Sequence, residues 1–452
     1  MGKYFGTDGF RGEANVTLKS DHAFLIGRFL GWHYARNHEN GQANIVIGKD
    51  TRLSSYMFES ALAAGITSSG SNAYLMHVTT TPSVSYAVRT GDFDCGIMIS
   101  ASHNPYYDNG IKILNAEGRK IEANVEKMLE AYIDGIFGDI PRAQREKIGH
   151  IVDYAQGRNK YLGYLTSIPA HSFRGMKVGL DCANGASFAM AKGLFEILGA
   201  KTFVINATPT GVNINDHCGS THPEELKKLV LEKSLDVGFA MDGDADRCIA
   251  IDEKGNEVNG DLIMYACGRY LMEKGELASD TIVTTVMSNL GLYKACEAAG
   301  MKTEQTQVGD KYVAENMNAN GYSLGGEQSG HIIFSRYAAT GDGLLTALMV
   351  MEAMLTRNAP LSYLTQPVKI YPQVLVNVRV KDKNKARENE KMKAAVAAVD
   401  EQLNGNGRIL VRESGTEPLI RIMVEAETDE LCRSLADSVA VVLKEEGLTA
   451  DS

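Results

Sequence analysis

The sequence contains no Cys-x-x-Cys pair. Its seven cysteines, at positions 95, 182, 218, 248, 267, 296 and 432, are scattered and odd in number. That argues against a disulfide framework or a structural zinc centre and favours a reducing compartment. No window approaches the ~20 apolar residues that a membrane-crossing helix needs. The opening residues, Met1 to Gly9, hold neither an apolar core nor a secretory cleavage site. Low-complexity tracts and long blocks of like charge are also missing. Lys and Arg number 46 against 56 Asp and Glu, a net charge of -10. This argues against nucleic acid as the main partner, and any anionic ligand must be met by cations gathered locally. The chain is expected to be cytoplasmic, with neither membrane nor nucleic acid as partner.

What is present is a chain of 452 residues, 44% hydrophobic and 23% charged, with 45 glycines. It has room for about three or four domains of ~100 to 150 residues each. From residue 43 the pattern reads strand (44–47), helix (56–68), strand (73–78), helix (83–89), strand (95–99). A second pass runs through strand 176–180, helix 189–198, strand 202–205, helix 223–233 and strand 237–241. A third, weaker pass begins at 281–285 and continues through 290–299 and 313–318 to 325–331. Such alternation implies mainly parallel α/β sheets. After Pro367 and Pro372 it gives way to strand 374–380, a charged helix over 384–403, strands 408–411 and 419–425, and a helix over 430–445, a small α+β domain. Each of the three passes ends in a polar loop, so three loops are available to face one cleft.

The first loop follows the apolar run Cys95-Gly96-Ile97-Met98-Ile99 and reads Ser100-Ala101-Ser102-His103-Asn104-Pro105. Pro105 forbids continuation of the strand, and Asn104 must be extended or in a turn. Ser102 and His103 are therefore expected in a tight turn at the exposed carboxyl end of a buried strand, where open α/β sheets bind ligands. The second loop, Asp242-Gly243-Asp244-Ala245-Asp246-Arg247, sets three carboxylates at alternate positions. They repel one another unless a cation joins them, and hard oxygen ligands suit Mg²⁺. A calcium-binding EF-hand is excluded because its glycine position holds Arg247 and strands stand where helices are required. The third, Gly325-Gly326-Glu327-Gln328-Ser329-Gly330-His331, pairs a carboxylate and a hydroxyl two residues apart, suited to vicinal sugar hydroxyls. In the last domain, Arg412-Glu413-Ser414-Gly415-Thr416-Glu417-Pro418 with Arg421 offers amides, hydroxyls and guanidiniums for a phosphate. It lacks the Gly-Lys-Ser/Thr of a Walker loop and is also readable as an ordinary hairpin connection.

These four segments, in this order and with this spacing, resemble the α-D-phosphohexomutase family over essentially the whole chain, starting from Phe5-Gly6-Thr7-Asp8-Gly9-Phe10-Arg11-Gly12. The resemblance implies an α/β protein of three similar mixed or parallel α/β domains around a central cleft (1–155, 156–256, 257–366) and a smaller C-terminal α+β domain (367–452). It implies Ser102 as a phosphoserine and one Mg²⁺ per active site bound by Ser102, Asp242, Asp244 and Asp246. Glu327 and Ser329 fall on sugar contacts. Arg412, Ser414, Gly415, Thr416 and Arg421 fall on the substrate's own phosphate. Arg11, His103, Lys112, Arg247 and His331 fall around the transferring phosphoryl group, with His331 or Lys112 as candidate base. The implied reaction interconverts glucosamine 6-phosphate and glucosamine 1-phosphate through a glucosamine 1,6-bisphosphate intermediate and activator, feeding UDP-N-acetylglucosamine synthesis. A glucose or mannose phosphate mutase of the same family is the alternative, and a homodimer is left open. Two departures stand out: Phe10 replaces a β-branched aliphatic, and Glu413 puts an acid in the phosphate loop, where Arg412 and Arg421 are expected to hold it.

Overall fold

A computed structural model describes residues 3–6, 9–414 and 418–450. The chain forms two compact units: Met1–Met287 with Gly300–Gln366, and Ser288–Ala299 with Pro367–Ser452. Among the described residues the strands form four sheets.

The first contains β1 (Phe5–Gly6), β2 (Gly9–Glu13), β3 (Asn44–Lys49), β4 (Asn72–Val78), β5 (Cys95–Ile99), β6 (Asp108–Asn115) and β7 (Ile151–Asp153), in the order β1-β2-β6-β5-β3-β4-β7. The second contains β8 (Lys177–Asp181), β9 (Lys201–Ile205), β10 (Val237–Met241), β11 (Cys248–Asp252) and β12 (Glu257–Val258), in the order β12-β11-β10-β8-β9. The third contains β13 (Thr281–Thr285), β14 (Lys302–Thr306), β15 (Leu324–Gly326) and β16 (Ile332–Phe334), in the order β14-β13-β15-β16.

One four-strand motif recurs in all three. A first strand pairs in parallel with the second and third, and the third then pairs with an antiparallel fourth: β4-β3-β5-β6, β9-β8-β10-β11 and β14-β13-β15-β16. The α/β class with three similar domains and a smaller C-terminal one is what the alternating pattern predicts. The antiparallel fourth strand is the part that the alternation does not announce. Every residue of β5 and β10 is buried, because helices pack on both faces of each sheet.

The cores are apolar and contiguous with the sheets. In the first module, Phe29 and Leu30 of α1 (Ser20–Ala35) and Phe58 and Leu62 of α2 (Leu53–Ser68) pack on Ile45, Ile47, Ile97 and Ile99. On the opposite face, Val84 and Val88 of α3 (Thr81–Thr90) meet Val46 and Met98.

In the second unit β17 (Gln373–Arg379), β18 (Arg408–Glu413) and β19 (Leu419–Glu425) form an antiparallel sheet in the order β17-β19-β18, covered by the helices Glu390–Leu403 and Asp429–Glu445. The single helix expected over 384–403 is two, Lys383–Glu388 and Glu390–Leu403. Asn389, extended at ψ 124, breaks the run and caps the second helix by accepting from the Met392 amide at 2.9 Å.

The helix Gly343–Arg357 starts on a buried carboxylate. Asp342 accepts from the Leu345 amide at 3.0 Å and from the Tyr161 hydroxyl at 2.7 Å. Burial raises its pKa to about 6 in spite of those donors. The folded state therefore binds this proton more tightly than the unfolded chain, so the carboxyl's contribution is favourable below about pH 4 and is lost as pH rises through 6. Asn at this position keeps the cap without the charge. Asp342→Asn should gain stability relative to the parent by about 1 to 3 kcal/mol between about pH 4 and about pH 8. Urea unfolding of both proteins across that range checks it; a pH-independent difference would contradict the burial argument.

Candidate active site

The three loops between the third and fourth strands of the recurring motif converge within the first unit. Ser102 lies between β5 and β6, the three aspartates between β10 and β11, and Glu327 to His331 between β15 and β16. Ser102 Oγ donates to Asp242 Oδ2 at 2.6 Å, and Lys112 Nζ on β6 donates to Asp244 Oδ2 at 2.7 Å and Asp246 Oδ2 at 3.2 Å. His331 Nδ1 stands 3.7 Å from Asp246 Oδ2. The Cys248 amide donates to the Gly330 carbonyl at 3.0 Å, tying the aspartate loop to the third-module loop.

Ser102 is not at an exposed strand end, as the sequence suggests, but 1% exposed. Tertiary contacts bury it. Its carbonyl accepts from Arg52 Nη2 and Asn215 Nδ2, both at 2.9 Å. Its amide donates to Ser100 Oγ at 3.0 Å, and that hydroxyl donates to Asp50 Oδ2 at 2.7 Å. Ser102 sits at φ 52, a left-handed conformation uncommon for a side-chain-bearing residue and held here by these bonds. Gly243 faces the same carbonyl, and a Cβ there would press on the Ser102 oxygen.

Asp50 and Arg52 were not singled out in the sequence. They follow β3, which lies beside β5 in the sheet, so Asp50 stands next to Ser100 and its amide donates to the Ile99 carbonyl at 3.0 Å. Arg52 Nε donates to Asp50 Oδ2 at 2.7 Å, and both side chains are fully buried. The signal available was a charged Lys-Asp-Thr-Arg run at the end of an apolar strand. Thr81, at the start of α3, also donates its hydroxyl to Asp244 Oδ2.

The three aspartates are buried and their ligand oxygens lie within 4.8 Å of one another. Burial, then mutual repulsion, pushes Asp242 and Asp244 above the usual carboxylate range. Burial acts in the same sense on Asp246, but Lys112, His331 and Arg247 outweigh it and hold that carboxyl well below the range. Among the described residues, Asp244 Oδ1 and Asp246 Oδ1 are buried without a hydrogen-bond partner. Two orphaned carboxylate oxygens beside the Asp242 carboxylate and the Ser102 hydroxyl form an all-oxygen donor set that fits a hard divalent cation such as Mg²⁺.

Cations border this centre. Arg247 Nη1 donates to His103 Nδ1 at 3.0 Å, which makes that nitrogen the acceptor of a neutral ring. Burial, Arg247 and Arg11 lower the His103 pKa to about 4. Arg11 is on β2, which pairs with β6 and so lies on the Lys112 side of the first sheet. For His331, burial opposes a positive charge while Asp246, Asp310 and Glu327 favour it. The Gly341 amide donates to Nε2 at 3.1 Å and needs a lone pair there. An amide fixed by the backbone decides for the neutral ring with its proton on Nδ1, toward Asp246. Glu327 accepts from the Gly309 amide at 3.1 Å, and Ser329 is exposed.

In the second unit β18 and β19 form a hairpin in which Arg412 stands directly opposite Arg421. Arg421 Nη2 donates to Ser414 Oγ at 3.3 Å, and Lys383 Nζ, absent from the sequence reading, donates to the Ser414 carbonyl at 2.8 Å. Burial and then Arg421 lower the pKa of Arg412. Glu413 pairs with Arg387 at 3.1 Å, a partner 26 residues away that the local sequence does not reveal. Gly415 and Thr416 lie outside the described residues.

Four family models of phosphoglucomutase/phosphomannomutase match in order: α/β/α domain I at residues 2–137, domain II at 159–255, domain III at 259–371 and the C-terminal domain at 375–442. The chain belongs to the phosphoglucomutase/phosphomannomutase family. Among its relatives, a phosphoglucosamine mutase of Lachnospira eligens is 62% identical over 447 residues, 99% of each chain. The phosphoglucosamine mutase of Bacillus subtilis is 49% identical over 446 residues, again 99% of each. A crystal structure of a phosphoglucomutase/phosphomannomutase family protein from Burkholderia thailandensis superposes with a TM-score of 0.83 at 25% identity, covering 100% of this chain and 99% of that one. No helix of the described residues is long and apolar enough to cross a membrane.

Excess EDTA should abolish turnover and Mg²⁺ should restore it. Independently of activity, Mg²⁺ at about a hundred times its Kd should stabilise the folded protein by about 2.7 kcal/mol, read as a raised thermal midpoint. Asp244→Asn should lose that shift; an equal shift in the variant would remove the aspartates from the metal site.

Proposed function

We propose that the chain interconverts glucosamine 6-phosphate and glucosamine 1-phosphate, the activity for which its relatives at 49 to 62% identity are named. The observation that carries the site assignment is the 2.6 Å bond between Ser102 Oγ and a buried aspartate of a loop with orphaned carboxylate oxygens. Ser102 is the phosphoryl carrier. Its Oγ–P bond breaks as a bond forms from phosphorus to the sugar O1, and the O1 proton leaves to a base. The 1,6-bisphosphate turns round, its O6–P bond breaks, O6 takes a proton, and the Oγ–P bond reforms. No phosphate is lost, which separates this cycle from a phosphatase.

Phosphoryl transfer asks the protein mainly for positioning and charge neutralisation. Asp242, Asp244, Asp246 and the phosphorylated Ser102 would hold Mg²⁺, which when bound would supply charge neutralisation at the transferring group. Arg11, Arg247 and Lys112 add fixed positive charge. The neutral His103 presents a lone pair to Arg247 and so orients that guanidinium. His331 and Lys112 are the candidates to exchange a proton with O1 or O6, which requires the Gly341 amide to release Nε2 of His331, or Lys112 to give up its charge. Glu327, its orientation held by the Gly309 amide, and Ser329 take sugar hydroxyls. Arg412, Arg421 and Ser414, with Gly415 and Thr416, hold the phosphate that is not reacting. The seven cysteines are buried free thiols, as suits the cytoplasm.

No single side chain of the site marks the 2-amino group, so the sugar preference rests on the named relatives. Coupled assays with glucosamine, glucose and mannose 6-phosphates test it, and a higher kcat/KM for either neutral sugar would overturn it. Ser102→Ala should reduce turnover by more than a thousandfold, about the scale of losing a covalent intermediate, and intact mass should show a phosphoryl group on the parent only. Because Ser102 is buried and bonded, unfolding measurements must accompany the assay. Arg421→Ala should raise KM about ten- to a hundredfold with a smaller change in kcat, since a charge-assisted bond is worth ~1.5 to 3 kcal/mol and is alike in ground and transition states. An unchanged KM with a collapsed kcat would place Arg421 at the transferring phosphoryl group instead.

A further inference from the structure

We propose that Lys120 is a positioning residue, whose ion pair with Asp310 sets the spacing between the Ser102 module and the loop that carries Glu327 and His331. The proposal rests on the mutase reading above and adds to it two residues that belong to none of the four motifs. Lys120 Nζ and Asp310 Oδ1 stand 2.8 Å apart, with side chains 29% and 18% exposed, although 190 residues separate them in the chain.

Both ends of this pair are anchored to the reacting centre. Lys120 follows the turn after β6, where the Gly118 amide donates to the Asn115 carbonyl at 2.9 Å and the Asn115 amide to the Arg119 carbonyl at 2.7 Å. A β-bridge then joins Lys120 to Leu114, and the Ile121 amide donates to the Ile113 carbonyl at 3.1 Å. The Lys120 backbone is thereby locked to the strand that presents Lys112 to Asp244 and Asp246. Asp310 opens the helix Asp310–Asn320 directly after Gly309, whose φ of 133 is open to glycine alone and aims its amide at Glu327. Asp310 Oδ1 also accepts from the Lys311 amide at 2.8 Å, which fixes the carboxylate, and Oδ2 lies 3.9 Å from His331 Nε2.

Lys120 and Asp310 both line a cavity of about 860 Å³ whose wall also includes Lys112, Asp246 and His331. A cavity provides no packing at this wall to resist sliding of one module against the other. Other contacts join the two parts farther along, such as Arg89 Nη2 to the Tyr337 carbonyl at 2.9 Å, and the Lys120–Asp310 pair adds a directed contact at the cavity wall that also carries Lys112 and His331. Transfer needs the sugar oxygen and phosphorus in near-attack geometry, and misplacement by about 1 Å costs on the order of a hundredfold in rate. Binding contacts held within each module survive such a slip, so the loss falls on kcat rather than KM.

The test compares Lys120→Met, Asp310→Asn, the double variant and Lys120→Arg. Each of the first two should lower kcat about ten- to a hundredfold with KM changed less than about threefold, and should release more labelled bisphosphate per turnover. The double variant should be no worse than the worse single, and Lys120→Arg should recover most of the rate. A double-mutant cycle by urea unfolding reads the coupling of the two side chains without substrate. Additive effects in both cycles, an unchanged kcat, or an arginine variant as slow as the methionine one would overturn the proposal. Coupling with unchanged bisphosphate release would also overturn it, since that is the signature of a purely structural pair. Failure of the parent enzyme to act on glucosamine 6-phosphate would instead remove the mutase reading, and the unfolding cycle would still report on the pair.

Discussion

Three carboxylates buried within 4.8 Å of one another set the terms for everything around them. Such a group is stable only if positive charge comes to it, because each carboxylate loses hydration on burial and repels the others. Lys112, from the neighbouring module, reaches two of them, Arg247 stands 4.0 Å from Asp246, the His331 ring of the third module turns Nδ1 toward Asp246, and two oxygens have no hydrogen-bond partner among the described residues. The loops of three modules are thus drawn to one point by an electrostatic need, and a divalent cation with a phosphoserine would complete what the side chains begin.

The rest of the first unit serves to hold that point still. The recurring four-strand motif gives the same address three times, the turn between a buried parallel strand and its antiparallel neighbour, and fills it with a different chemistry each time. A hydroxyl stands in the first, carboxylates in the second, an acid and an imidazole in the third. Turns at such positions are short and anchored at both ends by sheet hydrogen bonds, so the functional atoms inherit the rigidity of the sheet. The left-handed Ser102 shows how far this goes, since Arg52, Asn215 and Ser100 together hold a conformation that the isolated peptide would seldom populate.

The second unit applies a different device to a similar problem. Two arginines opposed across a hairpin repel each other, and Lys383 adds a third cation beside Ser414. An anion placed there would relieve that repulsion, and Arg421 donates to the Ser414 hydroxyl beside it.

Much of this was legible in the linear sequence. Apolar runs that end in Asn-Pro, in alternating aspartates or in a Gly-rich turn are local patterns, and the strands 95–99, 237–241, 281–285 and 419–425 lie where periodicity puts them. The serine hydroxyl, the alternating carboxylates and the glycine-rich turn with its acid are likewise visible as short strings. What only the tertiary structure decided is which residues support those strings. Asp50 and Arg52 reach the Ser102 loop because β3 lies beside β5, Lys112 meets the aspartates because β6 turns back antiparallel, Glu413 finds Arg387 rather than an adjacent residue, and Lys120 meets Asp310 across 190 residues. Sequence patterns report what a segment does to its own backbone and which face it buries. Burial of Ser102 and the pairing of distant charges depend on where sheets and loops are packed, and that is set by contacts no local pattern encodes.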